Sequence, residues 1–362
     1  MERVEKMKKT GKKAGIDAFL VNSEKNMRYF AGFSALAIER FAGIIIPVET
    51  GAPIVVVPKL EEEKAKEYSA FKEIRSYDDS ENPAVLLSQM VEELRLEKAV
   101  FGVEGILPLK FYRMLVECSP KTRIEDASVF FSQPRSIKSY EELKRMEKAA
   151  SIVAEGIKAG IDFIKPGVSE LAISFQIEKN IKENGGESVP FCSVLSGSNS
   201  ALPHGKTSKR KVRRKDIVLM DVGGVYEGYH ADITRTVFVG KATKMQTKVY
   251  EIVAKAQEAA IETVKANVKA EEVDRAARRI IEDAGYGEHF IHRTGHGLGL
   301  DVHEEPYIVP GNKTVLRPGM TFTIEPGIYL AGKFGVRVED DIAVSTSEAR
   351  LLSSLSRELL VI

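Results

Sequence analysis

The sequence is poor in cysteine, in long apolar runs and in net charge, and each shortage removes a class of protein. Its 362 residues hold two cysteines, Cys118 and Cys192. Two thiols cannot build a disulfide framework, and no Cys-x-x-Cys pair suggests a thiolate metal site, so a reducing compartment is expected. No stretch approaches the roughly 20 apolar residues of a membrane span. The longest apolar runs, such as Ala42 to Val48, have strand length. The charged start, Met1 to Lys9, leads into no apolar run, so no secretory signal is expected and the protein is read as soluble and cytoplasmic. Lys and Arg number 53 against 52 Asp and Glu, a formal charge of +1, which argues against a polyanion binder. Histidine is missing from the first 203 residues, and all six lie between His204 and His303. Function is therefore expected in the C-terminal part.

What is present describes two domains, since 43% hydrophobic content over this length can fill more than one core. Residues 1–125 alternate helical patterns (Glu2 to Ala14, Leu107 to Glu117) with apolar strands (near Ile16 to Val21, Ala42 to Val48, Ile54 to Val57, Ala99 to Val103) and read as an α/β domain. The pattern weakens over 126–138, read as a linker. Ser139-Tyr140-Glu141-Glu142 fits a capping box and opens a second domain, 139–362. There, helices to about Ile164 and from Ser169 to Asn184 precede strands near 191–195, 217–222 and 234–239. Helices near 247–265 and 270–284 precede strands near 321–324, 336–340 and 342–345. Two related halves, each packing a helix pair on one antiparallel sheet, would produce this order.

Acids stand where strands should be buried. Asp221 ends the run Ile217-Val218-Leu219-Met220, and Asp232 follows a Gly223-Gly224 region read as a turn. Paired strands about 4.8 Å apart would bring the two carboxylates together, and buried like charges need a cation between them. Glu325 after Thr321 to Ile324 and Glu339 after Gly335 to Val338 repeat the arrangement. His296, in Gly295-His296-Gly297, adds a nitrogen donor on a stretch where glycine lets backbone approach an ion. Four carboxylates and an imidazole form a hard ligand set with room for two divalent ions, suited to manganese, cobalt, iron or zinc.

The segments Leu219-Met220-Asp221-Val222-Gly223, Ala231-Asp232-Ile233-Thr234-Arg235-Thr236, Gly295-His296-Gly297, Ile324-Glu325-Pro326-Gly327 and Val338-Glu339-Asp340-Asp341 resemble the five ligand motifs of the pita-bread metallopeptidases. Within these the chain resembles the Xaa-Pro branch, prolidase and aminopeptidase P, over nearly its whole length. The resemblance implies an α+β pita-bread (creatinase/aminopeptidase-like) catalytic domain with pseudo-two-fold halves. It makes Asp221, Asp232, His296, Glu325 and Glu339 ligands of two metal ions, with manganese or cobalt favoured. Glu325 would also accept the proton of the attacking water. His204 resembles a histidine lining the substrate pocket. His292 and His303 resemble histidines that contact substrate and stabilise charge at the scissile carbonyl. Arg337 and Tyr329 resemble an arginine and a tyrosine that support the site from behind. His230 and His289 match nothing and are read as core or solvent residues.

By the same resemblance the substrates are Xaa-Pro dipeptides or longer proline-containing peptides, and the bond to proline is a tertiary amide without an N–H. Dipeptidase activity is favoured over aminopeptidase P. Tyr307, however, stands where some prolidases carry an arginine for the dipeptide carboxylate. The N-terminal domain of relatives helps form a homodimer and partly covers the neighbouring active site, and Tyr29 to Phe33 resembles a loop there. A third reading, a non-catalytic nucleic-acid binder, would use the basic run Lys206 to Lys215, which holds seven positive residues. A solvated loop is favoured instead, because no aromatic residue interleaves the run.

Overall fold

The computed structural model describes residues 2–36, 39–49 and 51–362, and its contacts divide the chain into two units, Met1–Arg135 and Ser136–Ile362. The first unit is a six-stranded mixed sheet. Its strands are β1 (Ala18–Val21), β2 (Gly43–Pro47), β3 (Ile54–Pro58), β4 (Glu73–Tyr77), β5 (Val100–Val103) and β6 (Arg123–Asp126), in the order β4-β3-β2-β1-β5-β6. Every residue of β1, β2 and β3 is buried, because helices cover both faces and leave no polar side to alternate with. On one face, α4 (Pro83–Glu93) and α5 (Leu109–Cys118) pack Leu87, Met90, Phe111 and Leu115 against Leu20, Ile45 and Phe101. On the other, Phe19 meets Phe131 edge-on and Phe130 at a tilt, beside α1 (Glu2–Ala14), α2 (Glu24–Ala31) and α6 (Ser128–Ser136), while α3 (Glu62–Tyr68) follows β3. Tyr29, Phe30 and Phe33 are buried in this unit, so the aromatic segment packs its own core. The unit boundary falls inside the stretch read as a linker, most of which is α6.

In the second unit the expected capping box forms. The Glu142 N–H donates to Ser139 Oγ (3.3 Å) and the Ser139 N–H to the Glu142 carboxylate (2.8 Å), starting α7 (Tyr140–Phe163). After α8 (Glu170–Glu183), strands β7 (Ser188–Ser196), β8 (Ile217–Tyr226) and β9 (Tyr229–Phe238) form an antiparallel meander. Gly223 and Gly224 lie inside β8 and are not the turn. The hairpin reverses at Glu227-Gly228, both at positive φ, the backbone of a tight two-residue connection. The second half begins with α9 (Lys244–Thr263), which starts three residues ahead of the expected position because Thr243 and Gln246 make a further capping box. Then come α10 (Ala270–Asp283), β10 (Gly295–Gly297), β11 (Glu304–Ile308), β12 (Thr321–Ile324), β13 (Gly327–Leu330), β14 (Phe334–Arg337), β15 (Asp340–Val344), β16 (Ala349–Leu351) and β17 (Leu360–Val361).

Hydrogen bonding separates these strands into sheets β17-β9-β8-β7, β11-β10-β12-β15-β16 and β13-β14, and the expected single strand 336–340 is broken between Arg337 and Asp340. Each half buries its helix pair. Val153, Ile157, Ile173 and Ile177 serve the first, and Val249, Val253, Ala277 and Ile281 pack with Phe322, Ile324 and Ile342 in the second. The halves join along β9, where the Glu339 N–H donates to Thr234 O (3.1 Å) and Thr236 Oγ1 to Arg337 O (2.8 Å). Among the described residues, no helix is long and apolar enough to cross a membrane.

Candidate metal centre

Asp221 pairs with Thr234 across the β8/β9 ladder, and Asp232 pairs with Gly223. The acids are therefore two ladder positions apart, on one face, because strand side chains alternate with period two. Ile324 pairs with Asp340 and Gly327 with Arg337 in one continuous register, which sets Glu325 and Glu339 opposite one another at the break between the two ladders. His296 lies in the middle of β10. A Cβ on Gly295 would overlap the Thr323 carbonyl, and one on Gly297 the carbonyls of Glu304 and Glu305. The flanking glycines thus serve strand packing around His296, a different task from the close ion approach expected of them.

These elements bring ligand atoms of Asp232, His296 and Glu339 within 4.8 Å of one another, all buried. His296 Nε2 stands 3.4 Å from Glu325 Oε1 and 3.7 Å from Asp232 Oδ2. Those spacings are too long for direct hydrogen bonds, yet donors about 2.1 Å from a common tetrahedral ion would be about 3.4 Å apart. Asp232 Oδ1 and Glu339 Oε1 are buried without a hydrogen-bond partner, a costly state for a carboxylate unless a cation fills it. Burial, then the neighbouring acids, pushes the carboxyls of Asp232 and Glu339 well above the usual range. Burial also raises Glu325, to about 7, although Arg337 opposes the shift. The His296 Nδ1–H donates to Gly297 O (3.1 Å), leaving Nε2 with its lone pair toward the acids. Burial, reinforced by His303, lowers its pKa to about 3, so it is neutral. The donor set fits a metal centre.

Asp221 lies at the edge of this cluster, its side chain 20% exposed and paired with Arg337. Arg337 is buried and shared. Nε reaches Thr234 Oγ1 (3.1 Å), Nη1 the Tyr329 hydroxyl (2.7 Å) and Nη2 Asp221. It is the one cation that touches both hairpins among these contacts. Burial opposes its charge, but Tyr329 and the surrounding acids outweigh burial and hold it protonated. The Tyr329 oxygen accepts from Arg337, so its O–H donates to His292 Nε2 (3.0 Å), and His292 Nδ1–H donates to Arg293 O (2.7 Å). Both ring nitrogens of His292 are thus engaged, and burial lowers its pKa to about 4. His303 is exposed, its ring 4.0 Å from that of His296, and its Nδ1 accepts from Arg293 Nη2 (3.3 Å). The proton of neutral His303 is then on Nε2. His204 is exposed and close enough to depress the pKa of both His292 and His303. His230 is buried, with its N–H and Nδ1 at Gly299 O, and is a core residue. His289 is half-buried beside Tyr286.

Several site residues escaped the sequence reading. Asp341 is fully buried and accepts from the Asp232 N–H (3.0 Å), and its position two residues after Glu339 puts it on the same strand face. Thr323 Oγ1 accepts from the His296 N–H and donates to Glu325. Asp274 on α10 accepts from Thr294 Oγ1 (2.8 Å) and from Arg278, which also reaches His292 O (3.1 Å). Only the buried acid on an otherwise apolar helix face could have flagged Asp274. Within the basic run, Arg210 is committed to Asp216 and Ser196, while Lys209, Lys211, Arg213, Arg214 and Lys215 are exposed.

Residues 144–346 match the metallopeptidase family M24, and residues 3–137 match the creatinase/prolidase N-terminal domain. The Xaa-Pro dipeptidase of Pyrococcus furiosus is 37% identical over 362 residues, covering 99% of each chain. Among solved structures, a prolidase from Thermococcus sibiricus superposes with a TM-score of 0.94 at 42% identity, covering 99% of this chain and 98% of that one. The X-Pro aminopeptidase of Thermotoga maritima gives 0.87 at 32% identity, covering 98% of this chain and 100% of that one.

Proposed function

The chain belongs to metallopeptidase family M24, and from that premise we propose that it is an Xaa-Pro dipeptidase, hydrolysing the peptide bond that precedes proline. The observation that carries the reading is the pair of orphaned buried oxygens on Asp232 and Glu339 facing a neutral His296, within a fold shared along its full length with prolidases. Asp221, Asp232, His296, Glu325 and Glu339 are assigned as ligands of two divalent ions, manganese or cobalt, with zinc or iron as substitutes. Such ions supply acidified water and polarise the scissile carbonyl.

The chain's own groups supply the rest. Glu325, whose Oε1 stands 3.4 Å from His296 Nε2, takes the proton of the attacking water and passes it to the proline nitrogen. His303, protonated on Nε2, donates to the developing oxyanion. The hydrogen bonds already made by His292 assign that histidine to holding Tyr329 and lining the pocket, with His204 opposite. Arg337 balances the acids before and after metal loading. The protein is further assigned to the cytoplasm and to a homodimer contacted through the N-terminal unit, which sedimentation of the loaded protein tests.

A second reading, Xaa-Pro aminopeptidase acting on longer peptides, is favoured by Tyr307, which lies under the Arg293 guanidinium (4.7 Å) where some prolidases hold a carboxylate-binding arginine. Manganese-loaded protein should be offered an Xaa-Pro dipeptide and a longer Xaa-Pro peptide. Cleavage of the dipeptide alone supports the first reading and comparable cleavage of both the second. No cleavage of either under manganese or cobalt overturns both.

A further inference from the structure

We propose that Glu170, a fully buried acid outside the metal set, is a positioning residue that holds the His204 segment in its substrate-facing place. The inference rests on the assignment of His204 to the substrate pocket made above. Glu170 opens α8 and is 0% exposed. Its Oε1 accepts from the Ser196 N–H (2.7 Å), Ser196 Oγ (2.7 Å) and Asn199 Nδ2 (3.1 Å). Its Oε2 accepts from the Ser208 N–H (3.0 Å) and Ser208 Oγ (2.6 Å). Ser196 ends β7 and Ser208 lies within the basic run, so the two serines bracket the loop that leaves β7, and His204 lies between them. One carboxylate therefore ties both ends of the loop together and removes much of its closure entropy.

The loop so pinched is also docked on the site. Ser200 Oγ accepts from the Gly335 N–H (2.9 Å), and Gly335 is the ladder partner of Tyr329, whose hydroxyl holds His292 and Arg337. A chain of direct contacts thus runs from Glu170 through Ser196 and Ser208 to the His204 loop and the β13/β14 hairpin. Only an acceptor fits the cage, since every group facing the carboxylate is an N–H or O–H donor. Glutamine would turn an NH2 donor toward one of them.

The test uses the full-length, manganese-loaded protein carrying Glu170→Gln, with Glu170→Asp as the charge-retaining variant. Expected are a KM for the Xaa-Pro dipeptide raised roughly 10-fold with kcat little changed, and bound manganese equal to the parent. Amide hydrogen exchange over 197–207 should be faster than in the parent, and Glu170→Asp should restore part of the loss. Should Glu170→Gln not fold, Ser208→Ala must show a smaller KM rise and faster exchange in the same segment. Unchanged KM and exchange overturn the proposal, as does a loss of manganese in step with activity. A parent protein that cleaves no Xaa-Pro peptide would overturn the functional reading instead, and the exchange measurement would still decide the role of Glu170.

Discussion

In the β8/β9 hairpin the ladder runs unbroken from Ile217–Phe238 to Tyr226–Tyr229, whereas the hairpin from β12 to β15 loses its pairing at Glu325-Pro326 and Val338-Glu339. Both present two acids to one place, by different means. In the first, period-two alternation alone puts Asp221 and Asp232 on the same face. In the second, the acids are opposite one another and their N–H groups leave the ladder, Glu325 donating to Thr294 O (2.8 Å) and Glu339 to Thr234 O (3.1 Å). Pro326 has no N–H to return to the ladder. The break converts pairing within one hairpin into bonds to β9 and to the His296 segment. A regular ladder fixes its acids by register, and a broken one fixes them through neighbouring strands.

The sharpest way to break this contrast is to remove one proposed ligand from each hairpin. Glu339→Gln, at the joint, should lower kcat by at least ~100-fold and release metal, since even residues behind metal ligands cost 10–100-fold. Asp221→Asn, at the exposed edge, should lose less metal than Asp232→Asn or Glu339→Gln when bound manganese is measured directly. Equal loss from all three would show that the two hairpins contribute alike.

Arg337 couples the hairpins, so its removal should separate them. Arg337→Met leaves Asp221, Glu325 and Glu339 without their shared cation and should destabilise the protein by about 3–5 kcal/mol in urea unfolding. Arg337→Lys should recover part of that, because one ammonium cannot reach Asp221, Thr234 and Tyr329 together.

A gentler perturbation is to withdraw the metal and vary pH. In the metal-free chain, burial raises Glu325 from 4.5 to about 7 and raises Asp232, Glu339 and Asp341 as well. The folded form then keeps protons that the unfolded chain has released, so stability falls as pH rises from the ordinary carboxylate range through the folded pKa. His292 and His296 are lowered from 6.5 to about 4 and about 3, which has the opposite sign. Their contribution grows with pH until the unfolded imidazole is neutral near 6.5. Above that pH the acids act alone. The melting temperature of chelator-treated protein should therefore fall between pH 6.5 and 8, by about 2–4 °C for each kcal/mol. Saturating manganese should flatten the curve, and a flat curve without metal would show that the acids are not crowded.

The smallest effects belong to the groups behind the ligands of the broken hairpin. Tyr329→Phe removes the hydroxyl between Arg337 and His292 and should lower kcat about 10-fold. Thr323→Val deletes the bonds to the His296 N–H and to Glu325 and should destabilise by about 1 kcal/mol in thermal melts. On the regular side the ladder itself does the placing, and the groups behind its acids come from the other hairpin, Arg337 at Asp221 and Asp341 at the Asp232 N–H.

That asymmetry also explains what could be read without coordinates. Helix starts such as Ser139 were legible because a capping box is complete within four residues, and the four acids and His296 stood out because a polar ligand group on an apolar strand is a local anomaly. The α9 start was legible in principle from Thr243 and Gln246, a pair of the same kind that went unread. The reversal at Glu227-Gly228 was missed because two glycines inside β8 mimic a turn, and they are there to let Phe191 and Val153 lie against the strand. The broken hairpin, the assignment of protons on His292, His296 and His303, and the parts played by Asp274, Asp341 and Glu170 were invisible. Asp341, Glu170 and the Nε2 of His292 answer to partners 109, 26 to 38 and 37 residues away, while the protons of His296 and His303 are set by Gly297 O and Arg293, near in sequence but placed only by the folded backbone. The sequence by itself determined which residues carry metal-binding chemistry on predicted strands, because ligand chemistry belongs to side chains and alternation to a single strand. Only the tertiary structure decided which oxygens are left without a partner and which nitrogen carries the proton, because hydrogen-bond satisfaction is a property of neighbours in space.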